Sequence, residues 1–310
     1  MVLGLAMGSS GAGFESLTKF LSGKSSEDPM VSMIIWNIRF PRVLLAVLVG
    51  AALSLGGLVF QAILRNPLAE PYILGISGGA AVGAIIGILA GFSRFPGVSL
   101  TAFTGSMITL FLIIVMSSRQ TILNKESLLL SGVMVNAFCT AGILFLVSMT
   151  QDSRLHNIMF WLMGDLSTAR MNQILILVAV LTPCFILLFA LSHAMNLLLM
   201  GREMAKTMGV HDRAITMTLL IVTSLMISVT VSQCGILGFV GLVIPHIFRL
   251  LFGPDHRILV PACIMGGGAY MVWCDLLARV LPKQGEMPVG VITAMIGAPL
   301  FIFLLKKTER

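Results

Sequence analysis

The chain has 310 residues, 57% of them hydrophobic and 11% charged, with a mean hydropathy of +1.00. That balance excludes a soluble globular domain and leaves a membrane protein. The net charge of +7 does not point to nucleic acid, because Lys and Arg are scattered over the connecting segments and form no stripe interleaved with aromatics.

The N-terminal stretch MVLGLAMGSSGAGF is too short to cross a bilayer and has no basic flank, so it reads as the remnant of a first span. ESLTKFLSGKSSEDPM follows as an external loop, which places the remnant and the loop together in residues 1–42. Gly23-Lys24-Ser25 mimics the end of a phosphate-binding loop, but Thr18 stands where that motif needs its first glycine.

Nine apolar runs then follow, at 43–63, 72–92, 97–117, 127–149, 172–191, 214–232, 235–252, 258–278 and 289–305. Each has roughly the 20 residues a helix needs to cross the hydrocarbon core, and none alternates as a barrel strand would. Between the first two lies Arg-Asn-Pro-Leu-Ala-Glu-Pro. Pro67 disfavours helix at Asn66 and Pro71 has no backbone donor, so Arg65, Asn66, Pro67 and Pro71 are expected to build a tight turn. Arg65 meets the negative end of the preceding helix. Gly75, Gly79, Gly83 and Gly87 recur at i+4, as do Gly290, Ala294 and Ala298, giving stripes on which a neighbouring helix packs closely. The five cysteines are odd in number, lie in apolar runs and form no Cys-x-x-Cys, so they read as small core residues.

Three long stretches are distinctive: RFPRVLLAVLVGAALSLGGLVFQAILRNPLAEPYILGISGGA, CGILGFVGLVIPHIFRLLFGPDHRILVPA and CDLLARVLPKQGEMPVGVITAMIGAPLFIFLL, with NIMFWLMGDLS between the first and second. In this order they resemble the permease subunits of the FecCD-type ABC importers, which take up ferric siderophores, haem or cobalamin. The resemblance covers the chain from about residue 30 onward. It implies an all-α polytopic membrane protein, a single transmembrane permease domain over 1–310 with the ten-helix importer fold. Here a full first helix is not found, which fits either a recorded start that is too late or a genuinely shortened helix, and nine spans are expected to fill 43–305. It also implies a bacterial or archaeal cytoplasmic membrane, a second permease copy as a homodimer partner, two ATP-binding subunits and an extracytoplasmic substrate-binding protein. ATP and Mg belong to the partner ATPase, and this chain is expected to bind no cofactor or metal. Ferric siderophore is the first expectation for cargo, with haem and cobalamin next.

No complete Walker motif occurs, and the nine runs contain one acidic residue, Asp275, close to the end of its span. Ion-coupled carriers usually hold ionisable groups at mid-membrane, so an ion-coupled carrier or passive channel is the weaker alternative. Lys and Arg divide almost evenly between the two faces, and the family topology is what favours a cytoplasmic C-terminus.

The resemblance assigns roles to three sets of residues. Within the cytoplasmic segment 193–213, Arg202, Glu203, Ala205, Lys206 and Gly209 match the importer pattern that contacts the ATPase, and Gly209 suits a helix C-cap. Asn136 and Thr140, one turn apart in the run 127–149, are expected to face the translocation pathway. Arg39, Arg42 and Arg279 are expected at one membrane surface, docking the binding protein through its acidic residues. The Asp275–Arg279 spacing also allows an ion pair within one helix. The histidines and methionines show no ligand spacing.

Overall fold

The computed structural model describes residues 33–118, 125–150, 152–200, 208, 212–282 and 285–308. Among these residues all regular structure is helical. A π-helical stretch, Ile35–Arg39, runs into α1 (Phe40–Leu64), and a 3-10 turn, Pro71–Leu74, leads into α2 (Ile76–Leu89). Arg94–Val98 opens α3 (Ser99–Ser118), followed by α4 (Lys125–Ser148) and the short α5 (Asp152–Leu162). The rest of the chain forms α6 (Met171–Ala190), α7 (Ser192–Met200), α8 (Asp212–Cys234), α9 (Val240–Phe252), α10 (His256–Val280) and α11 (Val289–Thr308).

Six of the helices are long and apolar enough to cross a membrane, and Ile76–Leu89, Val240–Phe252 and Val289–Leu304 are shorter apolar helices. All nine apolar runs therefore fold as helix, though two are cut short. The run 72–92 begins as a 3-10 turn that ends at Gly75 (φ 68°), and 235–252 is non-helical until Phe239 (φ 69°). Both breaks sit at left-handed residues, which an α-helix cannot continue through. At its other end the first span reaches back beyond residue 43, since the chain is already helical at Met33, the first described residue, and carries Arg39 and Arg42 within the helix.

Apart from Arg42 and Gln61 near its two ends, α1 is apolar or small on every side, and a helix without a polar face is driven to the centre. It is the axis of the fold, buried along most of its length and surrounded by α10, α8, α9, α6 and α7. Two crossings are backbone to backbone. A Cβ built on Gly50 would lie 2.1 Å from the Gly267 carbonyl oxygen, and one on Gly57 would lie 2.0 Å from that of Gly241. The expected glycine stripe seats α3 on α2 in the same manner, because a Cβ on Gly83 would stand 2.1 Å from the Thr101 carbonyl oxygen. α4 packs on α2 and α3 by one edge and leaves most of its surface open.

Candidate functional site

At one end of the bundle the N-terminus of α1 lies beside the C-terminus of α10, since the two helices are antiparallel. Arg42 donates from Nε to Asp275 Oδ1 at 2.8 Å and from Nη1 to Glu286 Oε2 at 2.6 Å. Arg279, one turn after Asp275, brings Nη2 to 2.9 Å from Asp275 Oδ2. Arg39 is within electrostatic reach of Arg279. The three arginines are thus brought together, but as a buried cluster, each no more than 5% exposed. Their burial follows from Asp275, which is fully buried and draws Arg42 and Arg279 inward from the rim. An isolated charge there would be too costly, so the arginines and carboxylates are held as a network.

The polar knot after α1 has a partner that sequence reasoning missed. Arg65 closes α1 in the left-handed conformation, Asn66 Oδ1 accepts the Leu68 N–H at 2.9 Å, and Pro71 opens the 3-10 turn. Glu70 then accepts the backbone N–H of Phe239 at 2.7 Å, and the Tyr72 hydroxyl both donates to the Leu237 carbonyl and accepts its N–H at 2.9 Å. The interruption before α2 and the one before α9 satisfy each other's backbone, as interrupted helices in a membrane require. Burial raises the Glu70 carboxyl above the ordinary range, and the Phe239 N–H pulls it part of the way back. A carboxylate between two prolines in an otherwise apolar region was the available signal.

Arg94 and Asp165 form a further site that sequence reasoning did not single out, although Asp165 lies in the NIMFWLMGDLS stretch. Arg94 Nη1 donates to Asp165 Oδ2 at 2.8 Å, and Asp165 also accepts from the Ser167 N–H at 2.7 Å and the Ser167 hydroxyl at 2.9 Å. Burial alone would raise this carboxyl, but Arg94 and Ser167 outweigh it and hold it below the ordinary range. The Asp165 backbone N–H reaches the Cys234 carbonyl at 2.8 Å, tying the segment after α5 to the end of α8.

Asn136 and Thr140 lie on α4 in different surroundings. Asn136 is half-buried against α2, where a Cβ on Gly78 would come within 2.9 Å of its Oδ1. Thr140 is exposed and its hydroxyl donates to the Asn136 carbonyl at 2.8 Å. Beside them an apolar groove of about 440 Å³, bounded by Val82, Ile86, Ile108, Phe138 and Phe145, runs between α2, α3 and α4. Arg202, Glu203, Ala205, Lys206 and Gly209 lie outside the described residues. Among the described residues no group of three His, Cys, Asp or Glu side chains is placed to hold a metal ion.

A bundle of apolar helices around a buried axis, with charge gathered at its ends, defines a multi-pass membrane protein. The FecCD transport family model matches residues 1–307, and the chain belongs to that family. The hemin transport system permease protein HmuU of Yersinia pestis is 39% identical over 308 residues, covering 97% of this chain and 91% of its own length. The vitamin B12 import system permease protein BtuC of Klebsiella pneumoniae is also 39% identical, over 279 residues, covering 89% of this chain and 83% of its own length. Among solved structures, one described as an inward-facing metal-chelate type ABC transporter superposes with a TM-score of 0.85 at 34% identity, covering 90% of this chain and 89% of that one. The PsaBC complex of Streptococcus pneumoniae, at 14% identity and a TM-score of 0.58, shares the fold over 93% of this chain and 95% of its own. The fold is that of an ABC transporter permease.

Proposed function

We propose that this chain is the membrane-spanning subunit of an ATP-driven importer whose cargo is a metal chelate. The observation that carries this is the 0.85 superposition on a metal-chelate type ABC transporter, alongside equal identity to a haem and a vitamin B12 permease. Those relatives carry different macrocycles, each with its metal already coordinated. A pathway for such cargo needs room and weak contacts, with no ligand set of its own, and the weakly polar face of α4 with Asn136 and Thr140 suits that task. Ferric siderophore, haem and cobalamin are the cargo classes to be separated.

In this reading two copies of the chain enclose the pathway, two ATPase subunits bind ATP and Mg and engage residues 202–209, and a binding protein docks on the end carrying Arg39, Arg42 and Arg279. The cluster there holds three arginines against Asp275 and Glu286, so it retains positive charge for acidic residues of a partner. Docking engages it as a unit, because Arg42 and Arg279 are already held from within.

The test is reconstitution in proteoliposomes with the ATPase and the binding protein, after titrating the binding protein with a ferric siderophore, haem and cobalamin. Uptake of the chelate it binds, dependent on ATP and on the binding protein, is the expected result. Uptake that proceeds without ATP would replace this reading with a carrier or channel.

A further inference from the structure

At the end of the bundle opposite Arg42, one side chain joins two helices that are far apart in sequence. Asn196, on α7, donates from Nδ2 to Asp255 Oδ1 at 2.7 Å. Its Oδ1 accepts the backbone N–H of His256 at 2.9 Å and lies 2.7 Å from His256 Nδ1. Asp255 is at the same time the N-cap of α10, accepting the Arg257 N–H at 3.0 Å, and Arg257 Nη2 lies 3.0 Å from His193 Nδ1 on α7. The Arg257 backbone N–H and the Asn196 amide draw down the Asp255 carboxyl.

The chemistry of the partners fixes the amide. A carboxylate only accepts and a backbone N–H only donates, so Asn196 must present its NH₂ to Asp255 and its oxygen to His256. Asn is the residue of that length that does both at once: Asp cannot donate, and Ser or Ala cannot span the two.

Position gives the contact its meaning. α7 ends at Met200, two residues before Arg202, where the segment proposed to meet the ATPase begins. α10 runs 25 residues from this node, about 37 Å at the usual helical rise, seats on α1 at Gly50 and Gly267, and ends in Asp275 and Arg279 of the arginine cluster. We propose that Asn196 is a positioning residue that fastens the ATPase-facing segment to the start of α10, so that α7 and α10 move as one body during transport. This rests on the reading of residues 202–209 as the ATPase contact.

The experiment uses the complete importer with its binding protein in proteoliposomes and compares Asn196→Asp with the reciprocal swap Asn196→Asp/Asp255→Asn. The single variant sets two carboxylates together. The swap restores a donor–acceptor pair of opposite sense, and Asn caps a helix about as well as Asp. In Asn196→Asp the binding-protein-stimulated ATPase rate is expected to fall about tenfold, a common size for coupling between two sites, with chelate uptake falling alongside. Basal ATPase rate and complex assembly stay at wild-type level, and the swap recovers most of the stimulated rate. Wild-type stimulation in the single variant overturns the proposal. Loss of assembly or of basal rate also overturns it and leaves Asn196 a folding role alone, as does a loss of stimulation that the swap fails to repair. A separate arm replaces residues 202–209 with a neutral linker, and if the ATPase still binds, the reading of that segment fails whatever Asn196 does.

Discussion

Arg42 and Asp275 lie 2.8 Å apart across 233 residues of sequence, and the aspartate is fully buried. Removing one partner of a buried pair costs up to about 3–5 kcal/mol, and here Arg279, 2.9 Å from the other carboxylate oxygen, leaves Asp275 with one of its two cations. Glu286 holds the same guanidinium from a side chain that is 33% exposed, where a pair contributes about 0–1 kcal/mol. Arg42→Ala is therefore expected to lower the thermal midpoint of the detergent-solubilised protein sharply, and Glu286→Gln to change it little. Monodispersity by size exclusion after graded heating measures both. Equal sensitivity of the two variants would contradict the assigned order.

Glu70 supplies a pH-dependent prediction. Its folded-state pKa is raised, so the folded protein holds the proton more tightly than the unfolded chain does. Its contribution to stability therefore declines as pH rises above the ordinary glutamate value of about 4.3 and levels off above the folded pKa. Glu70→Gln keeps an oxygen for the Phe239 N–H and removes the ionisation, so its advantage over wild type should widen between about pH 4 and pH 8. Glu70→Ala leaves that N–H without its acceptor and should cost about 1–3 kcal/mol relative to Glu70→Gln at either pH. Melting curves of the three proteins across the range test the sign, and an advantage for Gln that shrinks with rising pH would refute it.

The crossing of α1 and α10 gives a steric prediction. Gly50→Ala places a methyl 2.1 Å from a carbonyl oxygen on a backbone that cannot turn aside, and overpacking of this kind typically costs about 1–3 kcal/mol or more. Gly142→Ala on α4 meets only Val82, at 3.8 Å, and should stabilise its helix by about 0.5–1 kcal/mol. The yield of folded protein in membranes separates the two. A tolerated Gly50→Ala would mean that the helices do not approach as closely as described.

Helix positions were legible because the membrane imposes a length and an apolar composition that the sequence displays directly. The glycine stripe was legible for the same reason, since i+4 spacing survives folding unchanged, and Gly83 does face α3. What stayed hidden is pairing across long sequence separations. Nothing local to Glu70 names Phe239, and nothing local to Arg42 says that Asp275 will draw it inward instead of leaving it at the rim. The breaks before α2 and α9 were hidden because their residues are apolar enough to extend a span. Their termination depends on left-handed backbone at Gly75 and Phe239, which apolar periodicity does not encode.

The central place of α1 sets an order of events during synthesis. This helix is among the earliest described elements to leave the ribosome, yet Gly267, the seat of its crossing with α10, is translated about 200 residues later. At about 5–20 residues per second, that leaves α1 waiting about 10–40 s for α10. Throughout that interval Arg42 has no Asp275 to meet, and the helix destined for the centre of the bundle is bathed in lipid or shielded by the insertion machinery. Nascent chains stopped before α10 should accordingly be far more open to proteolysis by membrane quality control than chains stopped just after it.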